Sequence, residues 1–317
     1  MRRLAVSEPV ALTALILDAA VGWPEGLYRR IGHPVGLFAR VIDWCERHGN
    51  RPERAAMLRR ALGIGTMIVL LILAGGSAWL LQVGLIAVLG HFAGITIALL
   101  AFPALAQRSL HDHVRAVQQA LEQGDLPAAR HAVGMIVGRD TGPLDEAGVA
   151  RAAIESLSES FCDGVVAPLF WLLLLGLPGV WAFKAINTAD SLIGHREERW
   201  RAFGWAAARI DDVANLIPAR LGGMLICLSA GTAWRTMWRD AGKHASPNAG
   251  WTEAAMAGAL NIRLAGPVIY DGTLHNKPWI GTGSPRAGAA HIGRAVAIFR
   301  RACLLLWIIA GGIAWAR

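Results

Sequence analysis

The sequence predicts an all-α, polytopic integral membrane protein. We expect about four to six membrane helices, some of them able to be re-entrant, and helical polar loops that form a site on the cytoplasmic side. Of the 317 residues 54% are apolar, the mean hydropathy is +0.41, and only 17% are charged, against about 25% in a soluble domain. The net charge of +8 stands between apolar runs, as in membrane proteins, so no nucleic-acid partner is expected.

Six apolar segments supply the predicted spans within one domain of residues 1–317. The segment 62–106 contains no charged residue, and it is long enough for two spans of about 20 residues, divided near Gln82-Val83-Gly84. Another segment is interrupted by Leu177-Pro178-Gly179, so it either crosses the membrane or forms two re-entrant half-helices. The segments cover about 4–21, 62–82, 84–106, 165–186, 213–234 and 302–316.

Most of the 31 Lys and Arg residues lie in the polar loops 22–61, 107–163 and 235–300. The positive-inside rule places these loops in the cytoplasm, which predicts a multi-pass protein of the bacterial inner membrane, in contact with lipid. Residues 187–212 would then lie outside, unless one or both interrupted spans are re-entrant. Within the loops we predict helices that begin at Pro127 and near Asp145, and an irregular path through 235–300.

The first candidate site is a stripe of carboxylates at i+4 spacing: Glu155, Glu159 and Asp163, with Arg151 one step before them. Like charges at this spacing repel each other, and the stripe directly precedes an apolar segment. Mg²⁺ on a substrate phosphate would offset the repulsion. The alternative is a solvated helix face with a surface pair between Arg151 and Glu155.

Just upstream, Arg139 and Asp140 lie in a loop before a helix with an acidic first turn. A helix N-terminus beside an arginine suits a phosphate, although an ordinary capped helix start explains the pattern equally simply.

Two further polar groups lie beside apolar segments. One contains Lys184, Asn187, Asp190, Arg209, Asp211, Asp212 and Asn215. Ionisable groups at such positions mark functional sites by default, although an interfacial network of ion pairs is the alternative. The other is a loop from Lys243 to Trp251, in which Lys243, Ser246 and Asn248 supply donors suited to a phosphate or an amide.

In their order along the chain these motifs resemble the CobD/CbiB family, the adenosylcobinamide-phosphate synthases of cobalamin biosynthesis. The matching stretches include His33-Pro34-Val35, Arg139-Asp140-Thr141, Glu155-Ser-Leu-Ser-Glu159, Asn215-Leu-Ile-Pro218-Ala-Arg220 and Lys243-His-Ala-Ser246-Pro-Asn248-Ala-Gly-Trp251. The resemblance runs nearly end to end. Departures such as Gly138, where a serine is expected, remove no carboxylate or basic residue.

The resemblance implies an amide-forming ligase. It would join adenosylcobyric acid to (R)-1-aminopropan-2-ol or its O-phosphate, using ATP and Mg²⁺, and other late membrane enzymes of the pathway are candidate partners. The resemblance implies that the catalytic acids are Glu155, Glu159, Asp163, Asp190, Asp211 and Asp212. The metal would be held by Glu155, Glu159 and Asp163, or alternatively by Asp211 and Asp212.

Substrate binding is expected from the remaining polar positions. Four cations, Arg139, Lys184, Arg209 and Lys243, would face phosphates, and Asn187 and Asn248 would orient corrinoid amides. Asp140, Asn215, Arg220 and Ser246 complete the expected set. The alternatives from other classes are a non-catalytic corrinoid transporter or sensor and a membrane phosphotransferase. Incomplete aspartate motifs disfavour the phosphotransferase.

Overall fold

A computed structural model describes residues 9–270, 273–275 and 277–316. The helices, in chain order, are α1 Val10–Val21, α2 Glu25–Ile31, α3 Val35–Gly49, α4 Ala56–Leu71, α5 Ser77–Leu89, α6 Ala93–Ala101, α7 Gln107–Glu122, α8 Leu126–Gly134, α9 Glu146–Phe161, α10 Ala167–Ile193, α11 Glu198–Arg201, α12 Trp205–Ala214, α13 Leu216–Ala230, α14 Trp234–Asp240, α15 Ala249–Leu260 and α16 Ala289–Trp315. The strands are β1 Leu264–Ala265, β2 Val268–Tyr270, β3 Thr273–His275 and β4 Trp279–Ile280.

The chain divides into two compact units. The first contains the described residues up to Ala106, then Ala167–Asn215 and the residues from Ala310 onward. The second contains Gln107–Val166 and Leu216–Ile309. The expectation of one functional domain over residues 1–317 stays a prediction. The helical fold class is confirmed.

In the first unit, the predicted division of residues 62–106 lies at the wrong place. The long helix continues from α4 through a π-helical turn, Ile72–Gly76, into α5. It ends at Gly90, whose φ of 55° favours glycine. After this turn α6 packs against α5 and α1. With its 3₁₀ turn to Ala104, α6 is shorter than the about 20 residues that a span requires.

A sharp break in α10 favours the re-entrant alternative for residues 165–186. Gly176 has φ 71° and ψ −152°, values open only to glycine. A Cβ atom on Gly179 would lie 2.4 Å from the carbonyl oxygen of Trp171. In a straight helix these two residues are about 12 Å apart along the axis, so the chain folds back at the break.

The break leaves backbone groups that need partners within an apolar segment. Leu177 donates its N–H to Oε1 of Gln82 over 2.8 Å, and Gln82 is fully buried in α5. One polar residue in an otherwise apolar helix therefore supports the turn of another. The expected division at Gln82 was wrong because this residue serves a tertiary contact and not a loop.

In the second unit the predicted helix starts are confirmed. Asp125 caps α8 by accepting from Ala128 N over 2.9 Å, with Pro127 in the first turn. Asp145 caps α9 by accepting from Gly148 N over 2.7 Å. Both are N-cap positions that Asp favours.

The prediction that residues 235–300 are one long irregular loop is wrong. This stretch contains α14, the buried helix α15 and two antiparallel strand pairs, β1 with β4 and β2 with β3. α15 was missed because it is buried on almost every side: it packs against α9, α13 and α14, so its sequence lacks an amphipathic period. α16 also begins at Ala289, well before the predicted segment 302–316.

Three stretches of helix are long and apolar enough to cross a membrane: Ala56–Glu122, Glu146–Ile193 and Ala289–Trp315. The bent pair Trp205–Ala214 and Leu216–Ala230 raises the number to four, all among the described residues. The described part of the first predicted segment is the short helix α1, and residues 4–8 lie outside the described residues.

We predict that Gln82→Leu destabilises the protein by about 1–3 kcal/mol, because the Leu177 N–H then has no acceptor. Thermal unfolding of the detergent-solubilised protein measures this change as a lower midpoint. Gln123→Leu, at an exposed position, is the matched control. An unchanged midpoint for Gln82→Leu would show that the break does not depend on this bond.

Candidate functional site

Glu155 is the centre of a charged cluster in the second unit. Its Oε2 accepts from Nη2 of Arg139 over 3.2 Å, and its Oε1 accepts from the backbone N–H of Ala265 over 2.8 Å. The side chains of Arg139 and Glu155 are 15% and 17% exposed. The loop predicted to bind phosphate is thus tied to the carboxylate stripe by a sheltered ion pair.

The predicted alternative of a surface pair between Arg151 and Glu155 is wrong. Arg151 instead donates to the carbonyl oxygen of Pro285 over 2.6 Å and lies over the Trp279 ring. Asp140 is exposed, and its Oδ1 accepts from Gly142 N over 2.9 Å, which shapes the loop before α9.

Glu253 on α15 joins this cluster, although the sequence analysis did not include it among the site residues. It is 4% exposed. Burial raises the pKa of Glu253 well above its usual value, and the negative charges of Glu155 and Glu159 raise it further. The positive charges of Lys277 and Arg139 act in the opposite direction. A glutamate in an alanine-rich helix was the only sequence signal that it carried.

His244 lies beside Glu253, with Nε2 at 3.6 Å from Oε1. Its Nδ1 accepts from the backbone N–H of Ser246 over 3.0 Å. An acceptor at Nδ1 fixes the neutral ring as the tautomer with its proton on Nε2. The protonated Nε2 of His244 therefore lies near the buried carboxyl group of Glu253.

Asp240 is a second acidic residue that the sequence analysis missed, and it anchors Lys243. It is fully buried, and it accepts two bonds from Arg239, at 2.8 and 2.7 Å, and one from Gly281 N at 2.8 Å. Lys243 Nζ lies 2.8 Å from its Oδ1. The Arg239 bonds hold the pKa of Asp240 well below its usual value, against the effect of burial, and Lys243 and Gly281 lower it further.

Three predicted binding residues do come together near the start of α15. Arg220 donates to Oδ1 of Asn248 over 3.3 Å, and its guanidinium group lies 4.7 Å from the ring centre of Trp251. The Ser246 hydroxyl accepts from the N–H groups of Asn248 and Ala249, so it holds the turn that leads into α15.

The predicted carboxylate stripe is interrupted. Residues Cys162–Val166 form a π-helical turn, whose wider spacing displaces Asp163 from the i+4 series of Glu155 and Glu159. Across the described ranges, no group of three or more His, Cys, Asp or Glu side chains could hold a metal ion. The expected acids do not make a metal site from protein ligands alone, and their part in metal binding stays a prediction.

The first unit holds the other predicted cluster, where α12 packs against α10. Asp211 is 8% exposed; its Oδ1 accepts from Asn187 over 3.4 Å and its Oδ2 from Asn215 over 3.0 Å. Asp190 is close enough to act on Asp211 electrostatically. Three of the predicted residues thus come together around the buried carboxylate of Asp211.

The remaining charged residues of this cluster lie at its edge. Arg209 pairs with Asp212 at 3.3 Å on the exposed side of α12. Lys184 lies near His33, which was not among the predicted site residues. The pKa of His33 is lowered by burial and then by the charge of Lys184, while a hydrogen bond to the Pro103 carbonyl raises it.

The predicted site residues therefore form two clusters, one in each unit. That the polar loops form one site stays a prediction. Both clusters surround a buried or half-buried carboxylate with donors from neighbouring elements, the arrangement that charged groups require beside apolar helices.

A family model described as "CobD/Cbib protein" matches residues 11–299. The chain belongs to the CobD/CbiB family. Proteins named "Cobalamin biosynthesis protein CobD" are similar to it throughout, and the resemblance stated from the motifs is confirmed. The relative from Rhodobacter capsulatus is 48% identical over 311 residues, covering 96% of each chain.

Further members of the CobD/CbiB family show the same extent of similarity. A Sinorhizobium sp. protein is 46% identical, over 92% of this chain and 94% of its own. A protein of Rhizobium meliloti (strain 1021) is 43% identical, over 94% of each. No solved structure matches this chain.

We predict that Glu253→Gln becomes progressively more stable than the wild type as the pH rises from about 4.5. Above this usual pKa the unfolded chain ionises at Glu253 while the buried group stays protonated, so the wild-type native state loses stability until its own raised pKa is passed. Thermal midpoints of both proteins from about pH 5 to pH 8 measure the divergence.

Glu146→Gln removes an exposed carboxyl group from α9 and controls for the change in net charge. If the difference between wild type and Glu253→Gln stayed constant across this range, the raised pKa of Glu253 would be refuted.

Proposed function

We propose that this protein acts in cobalamin biosynthesis as a ligase of the bacterial inner membrane. It would form an amide between adenosylcobyric acid and (R)-1-aminopropan-2-ol or its O-phosphate, with ATP as the second substrate. The observation that carries the proposal is the grouping of Arg139, Glu155 and Glu253 with exposed Glu159 and Lys277. Such a set suits a ligand that brings both phosphates and a metal ion.

The chemistry requires activation of a carboxylate, which is a poor acyl donor. A carboxylate oxygen of the corrinoid attacks the γ-phosphorus of ATP, the bond to ADP breaks, and an acyl phosphate forms. The amine nitrogen then attacks the acyl carbon, the C–N bond forms, and inorganic phosphate leaves with the C–O bond electrons. The ammonium proton passes to a base before or during this attack.

Charge neutralisation is the main task of the protein in such a reaction. Arg139, Lys184, Arg209 and Lys243 are the cations proposed to face the phosphates. The Nζ atom of Lys243 is paired with Asp240, and the Lys243 side chain is still 40% exposed. A ligand can therefore approach its charge. Arg139 keeps one buried donor, Nε, without a protein partner among the described residues, which suits a further acceptor from a substrate.

The donor chemistry fits Mg²⁺ that arrives on ATP, because this ion takes one or two protein carboxylates and completes its shell with phosphates and water. Glu159 and Asp163 would hold it in the second unit, or Asp211 and Asp212 in the first. When bound, Mg²⁺ supplies positive charge to the triphosphate. Glu155 is the weaker ligand, because Arg139 and Ala265 already occupy both of its oxygens.

The corrinoid presents many peripheral amides, which hydrogen-bonding side chains can orient. Asn187 and Asn248 are proposed for this role. Asp140, Asn215, Arg220 and Ser246 complete the proposed binding set. Asn215 and Ser246 also serve the fold, because they hold Asp211 and the start of α15. Removing either is expected to affect stability together with binding.

A membrane corrinoid transporter is the second candidate function, and one observation favours it. The helix break at Gly176 is of the kind that lines substrate paths in transporters. A transporter would move the corrinoid across the membrane without forming an amide. An assay for the amide product therefore separates the two functions.

We predict that the purified protein in lipid nanodiscs converts adenosylcobyric acid and the amine, free or phosphorylated, into the amide. One ADP and one phosphate should form for each amide, and chelation of Mg²⁺ should stop the reaction. Mass spectrometry of the corrinoid and an ADP assay measure these products. Binding of the corrinoid with no amide under any of these conditions would favour the transporter.

We predict that Glu159→Gln lowers kcat by about tenfold to a hundredfold and raises the Mg²⁺ concentration needed for half-maximal rate, as loss of a metal-binding carboxylate does. Glu146→Gln, an exposed change on the same helix, should leave both quantities unchanged. An identical Mg²⁺ dependence in Glu159→Gln and the wild type would remove Glu159 from the metal assignment.

A further inference from the structure

The outward face of α3 carries large apolar side chains where a water-exposed helix would be polar. The opposite face is buried, with Phe38 and Ile42 at 9% and 1% exposure. Leu37 and Trp44 are 58% and 60% exposed. They stand seven residues apart, so they lie on one stripe of the helix.

Arginines share this stripe. Arg40 and Arg47 are exposed and stand on the same side of α3 as Trp44, at i−4 and i+3. Arg51 lies two residues after the end of the helix and is also exposed. Arg47 is paired with Asp43, while Glu46 on the other side is buried and bound by Arg199. The outward face is therefore predominantly basic, with aromatic and aliphatic groups between the charges.

The adjoining elements extend the same surface. On α2, Tyr28 is 58% exposed beside exposed Arg29 and Arg30. At the start of α4, Met57 and Leu58 are 85% and 49% exposed. We call these side chains of α2, α3 and the start of α4 the basic-aromatic face.

The position of this face in the chain indicates the depth at which it lies. α4 begins the stretch Ala56–Glu122, which has the highest hydropathy of the candidate spans, 2.3. Residues that directly precede a span lie at the level of the lipid headgroups, where Trp and Tyr collect. A face of arginines and apolar groups at this level is typical of helices that lie along a membrane surface.

We propose that the basic-aromatic face binds the headgroups of anionic phospholipids, with Arg40 and Arg51 facing the phosphates and Leu37 and Trp44 entering the acyl boundary. Anionic lipid attracts such arginines by about 1 kcal/mol each. An acidic protein or a nucleic acid would satisfy the arginines, but it would not account for Trp44, Leu37 and Met57 exposed directly before a span. The proposal does not depend on the proposed function.

The test uses the full chain in nanodiscs of phosphatidylcholine with increasing phosphatidylglycerol. Brominated lipids quench nearby tryptophans, and the difference in quenching between wild type and Trp44→Phe isolates Trp44. We expect brominated phosphatidylglycerol to quench Trp44 more than brominated phosphatidylcholine at equal content. Arg40→Gln with Arg51→Gln should weaken this preference roughly tenfold or more, and high salt should reduce it in the wild type.

The matched control is Arg235→Gln with Arg286→Gln, two exposed arginines of the second unit, which should keep the wild-type preference. Equal quenching by the two lipids in the wild type would overturn the proposal, as would an equal loss in the control variant. A soluble polyglutamate that abolishes the preference at equal charge would assign the face to an acidic protein. If the double variant fails to fold, the wild-type comparison with Trp44→Phe decides alone.

Discussion

The structure depends on one constraint: a charged or polar group beside an apolar helix must find a partner inside the protein. Glu155 meets it through Arg139 and the Ala265 N–H, and Asp240 through Arg239, Lys243 and Gly281. Breaking such a sheltered pair by removing one partner is costly because the other charge is left buried. Glu155, one of the expected catalytic acids, and Asp240 therefore also fix the loops around them.

The same constraint explains the interrupted helix of the first unit. Gly176 turns the chain back and frees a backbone donor, and Gln82 accepts it from another helix. A polar residue within an apolar segment therefore marks a tertiary contact. The arrangement lets irregular backbone persist where lipid could not satisfy it.

Much of this molecule could be predicted from its sequence. The helical membrane class and the helix starts at Pro127 and near Asp145 follow from hydropathy and from start signals. The pairing of Asp211 with Asn215 follows from i+4 spacing. The position of the turn at Gly90 could not, because an uncharged run contains no marker of where it reverses. The sequence predicts an interruption near Pro178 but not its form, which the close approach of Gly179 to Trp171 reveals.

The site residues show the same limit. Glu253 is influenced by Glu155 and Glu159, which are 98 and 94 positions away. Asp240 has Arg239 and Lys243 close by in the sequence, but it also accepts from the Gly281 N–H, 41 positions away. Local spacing cannot signal contacts of that kind. Regular i+4 spacing assigns Asp163 to the acidic stripe, because the sequence does not indicate the π-helical turn at Cys162–Val166.

Transfer of a labelled oxygen tests the central claim, that these charged groups serve to activate a corrinoid carboxylate with ATP. Adenosylcobyric acid labelled with ¹⁸O in its free carboxylate is converted by the purified protein, and the phosphate products are analysed by mass spectrometry. The account predicts that one ¹⁸O atom appears in inorganic phosphate for each amide formed. Label in AMP, or amide formation with no label in any phosphate product, would contradict it.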